Sequence, residues 1–361
     1  MAREFTVTVI GGGNGAHAAV VDQCLRCHRV RWFLRDANDL PAAGTITHDG
    51  ILEVGTATPE VCTSDLGVAI TGADLILAPV PADAQSGLFP TLLPLLTAGQ
   101  AVAFTPGTFG TWMAARQRPD VVFLETGTLP YLCRVTRPFH VSIPVVSNHL
   151  PVGSVPGVGT QADHGHAMFS TAYPAAVRLS DGLDAALVNW GPVIHPPLVT
   201  HNLGAIESLG DRFDVHAEGT SPAVRRVQQA LDTERISLRE HLGLAAPHWP
   251  LDEYYAGADG TMYPPDAKDR LLASDLWRES LTLGHRYLTE DVACGLVLAV
   301  TLAGLAQSDA PVGSATIKLL SLALQRDLQM EGRSVASLGI ESIDHLRSHA
   351  REGFTSAGVG A

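Results

Sequence analysis

The sequence predicts an α/β fold in the N-terminal half, a doubly wound and mostly parallel sheet, followed by an all-α C-terminal domain. Three observations predict it. Short apolar strands alternate with helical segments up to about residue 180. A glycine cluster joins the first strand directly to the first helix. After Ser180 the strand patterning stops and helical periodicities run to the end. A chain of 361 residues is long enough for two domains, expected at residues 1–180 and 181–361.

The first strand is Phe5-Thr-Val-Thr-Val-Ile10, and Gly11-Gly12-Gly13-Asn14-Gly15 follows it at once. Ala16-His17-Ala18-Ala19-Val20 then opens a helix of small residues. A strand, a tight turn and a helix N-terminus in that order hold a dinucleotide pyrophosphate on backbone N–H groups. Gly11 makes the turn, Gly13 lets the backbone approach the phosphates, and Asn14 and Gly15 complete the loop. Ala16, at the third glycine position, packs the helix on the sheet. A glycine turn of another α/β protein is the alternative. His17 is expected to pack, not to ligate.

Residues 30–34 read as the second strand. At its end an NAD site usually carries Asp or Glu for the ribose 2′-hydroxyl. Leu34-Arg35 stands there instead, which suits a 2′-phosphate, so NADP(H) is preferred over NAD(H). Asp36 argues the other way, Arg31 has an undetermined facing, and Arg35 could equally be a solvated loop charge. A short helix in Thr63–Asp74 precedes a strand at 75–81, a helix near 83–97, and strands at 101–105 and 121–125. Ligands of such sheets bind at the carboxyl ends of strands, which places Pro81, Pro106-Gly107 and Glu125–Gly127 at that edge. Strand-like pieces continue at 140–146 and 177–180. Helices are expected to begin near 183–188 and to occupy about 221–242, 266–276, 290–307, 313–330 and 341–351.

Composition narrows the function. Hydrophobic residues are 46% and charged residues 17%, so a large core forms. A net charge of −13 with no basic run argues against nucleic acid or an anionic membrane as partner. No run of 18 apolar residues is seen, and the N-terminus enters the first strand directly, so a cytoplasmic protein is expected. Five cysteines are an odd number, which disfavours disulfides. Cys24-Leu-Arg-Cys27-His28 matches a haem-attachment motif, but no export signal accompanies it. Asp163-His-Gly-His166 reads as a polar surface loop, and no metal is expected.

Two stretches of the second half carry candidate chemistry. In Asn189-Trp-Gly-Pro-Val-Ile-His195-Pro196-Pro197 the pre-proline position predicts a break between helices, with His195 facing a cleft. A histidine there is a general acid–base candidate, and equally a structural residue. In Arg286-Tyr-Leu-Thr-Glu-Asp291, Thr289 is the expected N-cap, placing Asp291 in a first helical turn whose dipole favours its charge. Asp291 could orient an imidazole and Arg286 could clamp a carboxylate, or the stretch could be plain helix capping.

In this order the motifs carry a resemblance. They are Gly11-Gly-Gly-Asn-Gly-Ala-His17, Leu129-Pro-Tyr-Leu-Cys-Arg134, Asn189…His195-Pro196…Asn202, Glu218-Gly219-x-x-Pro222, Asp232-x-Glu234-Arg235, Arg286-Tyr-x-x-Glu290-Asp291 and Glu331-Gly332-Arg333. The chain resembles the opine dehydrogenase family of octopine/nopaline type over nearly its full length. The resemblance implies an N-terminal Rossmann domain, a helical C-terminal domain, and an active site between them. It further implies reductive condensation of an α-keto acid with the amino group of an amino acid, using NAD(P)H. His195 matches the catalytic histidine, Asp291 its carboxylate partner and Arg286 the arginine associated with substrate carboxylate. Asn202 and Tyr131 are the further substrate-binding residues it implies. Gly191 departs from the pattern, since related sequences often carry Asn there. A keto- or hydroxy-acid reductase without an amine partner, or a nucleotide-binding protein without turnover, are the alternatives. A homodimer is the favoured assembly.

Overall fold

A computed structural model describes residues 5–278 and 281–355. They form two compact units. Of the described residues, the first contains 5–186, Met262–Arg270 and 349–355, and the second contains those within Leu187–Thr261 and Leu271–Ser348. The division expected at residue 180 therefore falls at 186, and two later segments group with the first unit. Sequence texture could not assign those segments, because long-range packing claims them.

The first unit holds twelve strands among the described residues: β1 (Thr6–Ile10), β2 (Arg29–Phe33), β3 (Ile46–Gly50), β4 (Gly55–Ala57), β5 (Val61–Thr63), β6 (Leu75–Ala78), β7 (Ala101–Phe104), β8 (Val122–Thr126), β9 (Tyr131–Arg137), β10 (His140–Val146), β11 (Leu150–Val155) and β12 (Ala176–Arg178). Eight of them make one sheet in the order β12-β11-β8-β7-β6-β1-β2-β5. All its pairs are parallel except β8 with β11. From β5 to β8 this is the 3-2-1-4-5-6 order of a dinucleotide-binding Rossmann sheet, with its switch point between β1 and β6. The strands are continuous apolar runs because both faces are covered. Val7 and Val9 enter one core with Leu75 and Leu77, while Ile10 enters the other with Ile76 and Ala78.

The helices of this half are α1 (Asn14–Leu25), α2 (Leu66–Ile70), α3 (Gln85–Leu92), α4 (Gly110–Gln117), α5 (Thr160–Ala172) and α6 (Gly182–Ala186). Asp163 and His166 lie on α5, not in a surface loop. His166 is buried there against Ser154, and burial lowers its pKa to about 4. A second sheet of order β4-β3-β10-β9, which local patterning did not reveal, packs on α1. Its strand β3 (Ile-Thr-His-Asp-Gly) alternates apolar and polar too briefly to stand out, and its partner β10 lies far along the chain.

The second unit shows helices only among its described residues: α7 (Gly191–Thr200), α8 (Leu203–Leu209), α9 (Pro222–His241) and α10 (Leu251–Tyr255). After α11 (Ala267–Ser274), a π-helix Tyr287–Leu296 continues into α12 (Val297–Ala306), and α13 (Pro311–Leu324), α14 (Leu328–Glu331) and α15 (Ile343–Glu352) follow. By length and composition Tyr287–Ala306 could cross a membrane, but 67% of its most apolar window is buried inside the protein, as in a core helix.

Candidate active site

The glycine loop has the backbone geometry that a phosphate cradle requires. Gly11 has φ +114°, a conformation strained for any side chain, and its N–H donates to Phe33 O at 3.0 Å. The indole of fully buried Trp32 donates to Gly11 O at 2.8 Å, pinning the turn to β2. Gly13 is the N-cap of α1 and offers no side-chain cap, and a Cβ there would meet nothing within 4 Å. Unsatisfied helix N–H groups beside open space fit a dinucleotide pyrophosphate. Asn14 Oδ1 accepts from Val135 N at 2.8 Å, tying the loop to β9. Gly15 lies against Pro79 in the loop after β6, where Pro81 is exposed, and Ala16 is fully buried. His17 packs as expected, edge-on to Trp32 at 4.9 Å.

At the end of β2 the Leu34 side chain is buried against Gly12. Arg35 is exposed and carries no hydrogen bond or ion pair to the described residues. Asp36 turns away from an acidic-reader role: its Oδ1 accepts from Asn38 N and Nδ2, both at 2.9 Å, capping the turn Ala37–Asp39. Arg31 spends its guanidinium on the Val68 and Thr71 carbonyls.

In the second unit His195 and Asp291, 96 positions apart, meet. His195 Nδ1 lies 2.7 Å from Asp291 Oδ2. A carboxylate only accepts, so Nδ1 carries the proton and Nε2 keeps its lone pair when the ring is neutral. Nε2 has no hydrogen-bond partner among the described residues, and the side chain is 19% exposed. Burial is the main force lowering the His195 pKa; Asp291 pulls it up, while His216 and Arg286 push it further down. The ring is therefore neutral near neutral pH, ready to take or pass a proton at Nε2.

Two expectations about these helices fail. His195 is not at a break: α7 runs unbroken through Pro196 and Pro197. The prolines deprive the Pro192 and Val193 carbonyls of helical donors, yet burial of Pro196, Pro197, Leu198 and Val199 keeps the helix continuous. Thr289 is not an N-cap either. The π-helix starts at Tyr287 after Arg286, so Thr289 sits inside it and no side chain caps the end.

Close packing of the π-helix on α7 makes the His195–Asp291 contact. A Cβ at Gly191 would lie 2.3 Å from Asp291 Oδ1, and one at Gly295 would lie 2.2 Å from Pro192 Cγ. Two missing side chains let the helices touch. Gly191, the departure from the family pattern, here leaves Asp291 its place.

Around the pair stand residues that local reading missed. The Tyr287 ring stacks on His195 with centroids 3.7 Å apart and planes 9° from parallel. Its hydroxyl is 3.0 Å from His216 Nε2. The i, i+4 spacing of Tyr287 and Asp291 was the available signal; nothing local marked His216. Arg286 is 45% exposed, 3.7 Å from Glu290. Asn202 Nδ2 donates to Leu198 O at 2.7 Å and to Gly219 O at 3.1 Å, tying α7 to the turn that carries His216. Tyr131, expected to bind substrate, is 3% exposed, and its hydroxyl donates to Asp22 Oδ2 at 2.6 Å within the core of the first unit. The Asp232 and Arg235 pair is scaffold as well, since Arg235 binds the Leu187, His248 and Trp249 carbonyls.

Residues 178–324 match the family described as NAD/NADP octopine/nopaline dehydrogenase, alpha-helical domain. The opine dehydrogenase of Arthrobacter sp. (strain 1C) is 27% identical over 99% of both chains. The chain is thus similar to opine dehydrogenases over its full length, and the family model matches its helical part. Two solved structures share its fold. Octopine dehydrogenase with NADH and L-arginine aligns with a TM-score of 0.73 at 20% identity, covering 97% of this chain and 99% of that one. Yersinopine dehydrogenase bound to NADP+ aligns with a TM-score of 0.65 at 15% identity, covering 98% and 99%. Within the family, then, the nicotinamide cofactor is seen in both forms.

Proposed function

We propose that this protein reductively condenses an α-keto acid with the amino group of an amino acid to give an N-(carboxyalkyl) amino acid. It is an NAD(P)-dependent oxidoreductase acting on CH–NH bonds, and the bound reduced nicotinamide supplies the hydride. The observation that carries the reading is the His195–Asp291 contact with Nε2 left open. Condensation expels water from a carbinolamine and needs a proton delivered at the carbon–nitrogen centre; Nε2 gives and takes it. Asp291 holds the tautomer and stabilises the imidazolium, and Arg286 supplies a cation for a carboxylate. Asn202 supports the site from behind by bracing the Gly219 turn.

NADP(H) is the preferred cofactor in this reading, supported by exposed Arg35 at the β2 end and by Asp36 being engaged with Asn38. The enzyme's place is the cytoplasm, where NAD(P)H is supplied and its five free thiols stay reduced. The test is a matrix of amines against α-keto acids, following loss of reduced-nicotinamide absorbance. Turnover that requires both partners supports the reading. Turnover with the keto acid alone would replace it by a keto-acid reductase.

A further inference from the structure

We propose that Tyr287 is a positioning residue for the reaction, a stacking clamp that fixes the plane of the His195 ring and is itself held by His216. The inference rests on the functional reading above for its kinetic consequence, and on geometry alone for the clamp.

A single hydrogen bond from Nδ1 to Asp291 fixes one point of the imidazole and leaves the ring free to tilt about that bond. Tilting would swing Nε2 away from its target. The phenol ring, 3.7 Å away and 9° from parallel, covers one face and removes that freedom. Tyr287 is anchored at both ends. Its backbone begins the π-helix that also carries Asp291, and its hydroxyl meets His216 Nε2 at 3.0 Å. His285 adds an edge contact at 4.4 Å.

His216 is itself set by a rigid turn. Its N–H and that of Ala217 donate to Asp214 Oδ1, both at 3.0 Å, and Asp214 N donates to Glu218 Oε2 at 2.7 Å. Both constraints on His195, the carboxylate and the stack, thus come from one helix, so they cannot drift relative to each other.

The clamp has an electrostatic consequence. An aromatic face stabilises an imidazolium stacked on it, so the phenol favours the charged ring against the effect of burial. The charges acting on the ring are Asp291, His216 and Arg286. Arg286 is shared with Glu290. From α9, neutral Gln228 donates to Ile194 O of α7 at 2.9 Å, while Asp232, Glu234 and Arg235 are bound elsewhere. Lys318 on α13 and Glu207 on α8 are exposed. Removing the phenol ring should therefore lower the His195 pKa.

The experiment is histidine-selective ¹⁵N NMR of the full-length enzyme across pH, with His195 assigned through His195→Asn. Tyr287→Leu is expected to lower the His195 titration midpoint by about half to one pH unit. Tyr287→Phe, which keeps the ring, should hold the midpoint near wild type. Tyr287→Met serves where the Leu variant does not fold. With an established amine and keto-acid pair, Tyr287→Leu should lower kcat about tenfold and change KM little, with the Phe variant rescuing most of the loss. An unmoved midpoint in folded Tyr287→Leu or Tyr287→Met overturns the clamp. Failure of the functional reading looks different: the titration shift is present, yet no amine and keto-acid pair turns over in the wild type.

Discussion

The glycine loop and the His195 pair are two candidate sites built in opposite ways. In the loop, residues 5–25 of continuous chain supply strand, turn and helix, and one distant indole, Trp32, pins the turn. In the pair, two side chains 96 positions apart meet only because α7 and the π-helix approach through Gly191 and Gly295. The lesson concerns fragility. A binding loop made of backbone groups tolerates side-chain changes that do not alter its φ angles. A dyad made by helix packing depends on every atom between the helices.

The largest effect expected from that contrast falls on the dyad. His195→Ala should lower turnover by roughly 10²–10⁴-fold while cofactor affinity barely changes. Asp291→Asn should lower turnover too, and the double variant should fall well short of the product of both losses. Steady-state kinetics with cofactor titration reads this. Turnover above about a tenth of wild type in His195→Ala would make His195 structural. Arg286→Ala should instead act mainly on the keto-acid KM.

Gly191→Ala sharpens the comparison, because it adds one carbon where no space exists. Overpacking of this kind costs roughly 1–3 kcal/mol. If the strain is relieved by moving Asp291, turnover drops about tenfold. A Gly13→Ala variant meets open space and should leave folding intact. Equal turnover in Gly191→Ala and wild type would show that the π-helix yields without disturbing Asp291.

A smaller effect is expected at Arg35, the one side-chain determinant read at the loop. Arg35→Asp should reverse the ratio of NADPH to NADH efficiency by several-fold, through lost charge attraction and new repulsion at a 2′-phosphate. An unchanged ratio would remove Arg35 from cofactor choice.

The smallest is a stability effect away from both regions. His166 has a folded pKa of about 4 against 6.5 in the unfolded chain, so the native state favours its neutral form. Its contribution is complete above pH 6.5 and is lost as pH falls toward 4, amounting to about 3 kcal/mol. The wild-type Tm should therefore fall more steeply between these limits than that of His166→Leu. Parallel Tm curves would assign the acid lability to other histidines.

What the sequence alone determined follows from the range over which each feature is encoded. The run from Phe5 to Val20 specifies strand, turn and helix because neighbouring residues decide φ and burial there, and the order of apolar strands then implies the parallel sheet. The His195, Arg286 and Asp291 positions were legible through motif order, not through local physics. Local physics misplaced two of their neighbours: Pro196 does not break α7, since burial of its apolar face outweighs the lost hydrogen bonds, and Thr289 caps nothing, since the helix begins before it. Tertiary structure alone decided that Tyr131 turns inward to Asp22, that β3 and β10 pair across the chain, and that Tyr287 and His216 surround the imidazole. Each of these depends on contacts between residues far apart in sequence, and the energy of such a contact exists only once the chain has folded around it.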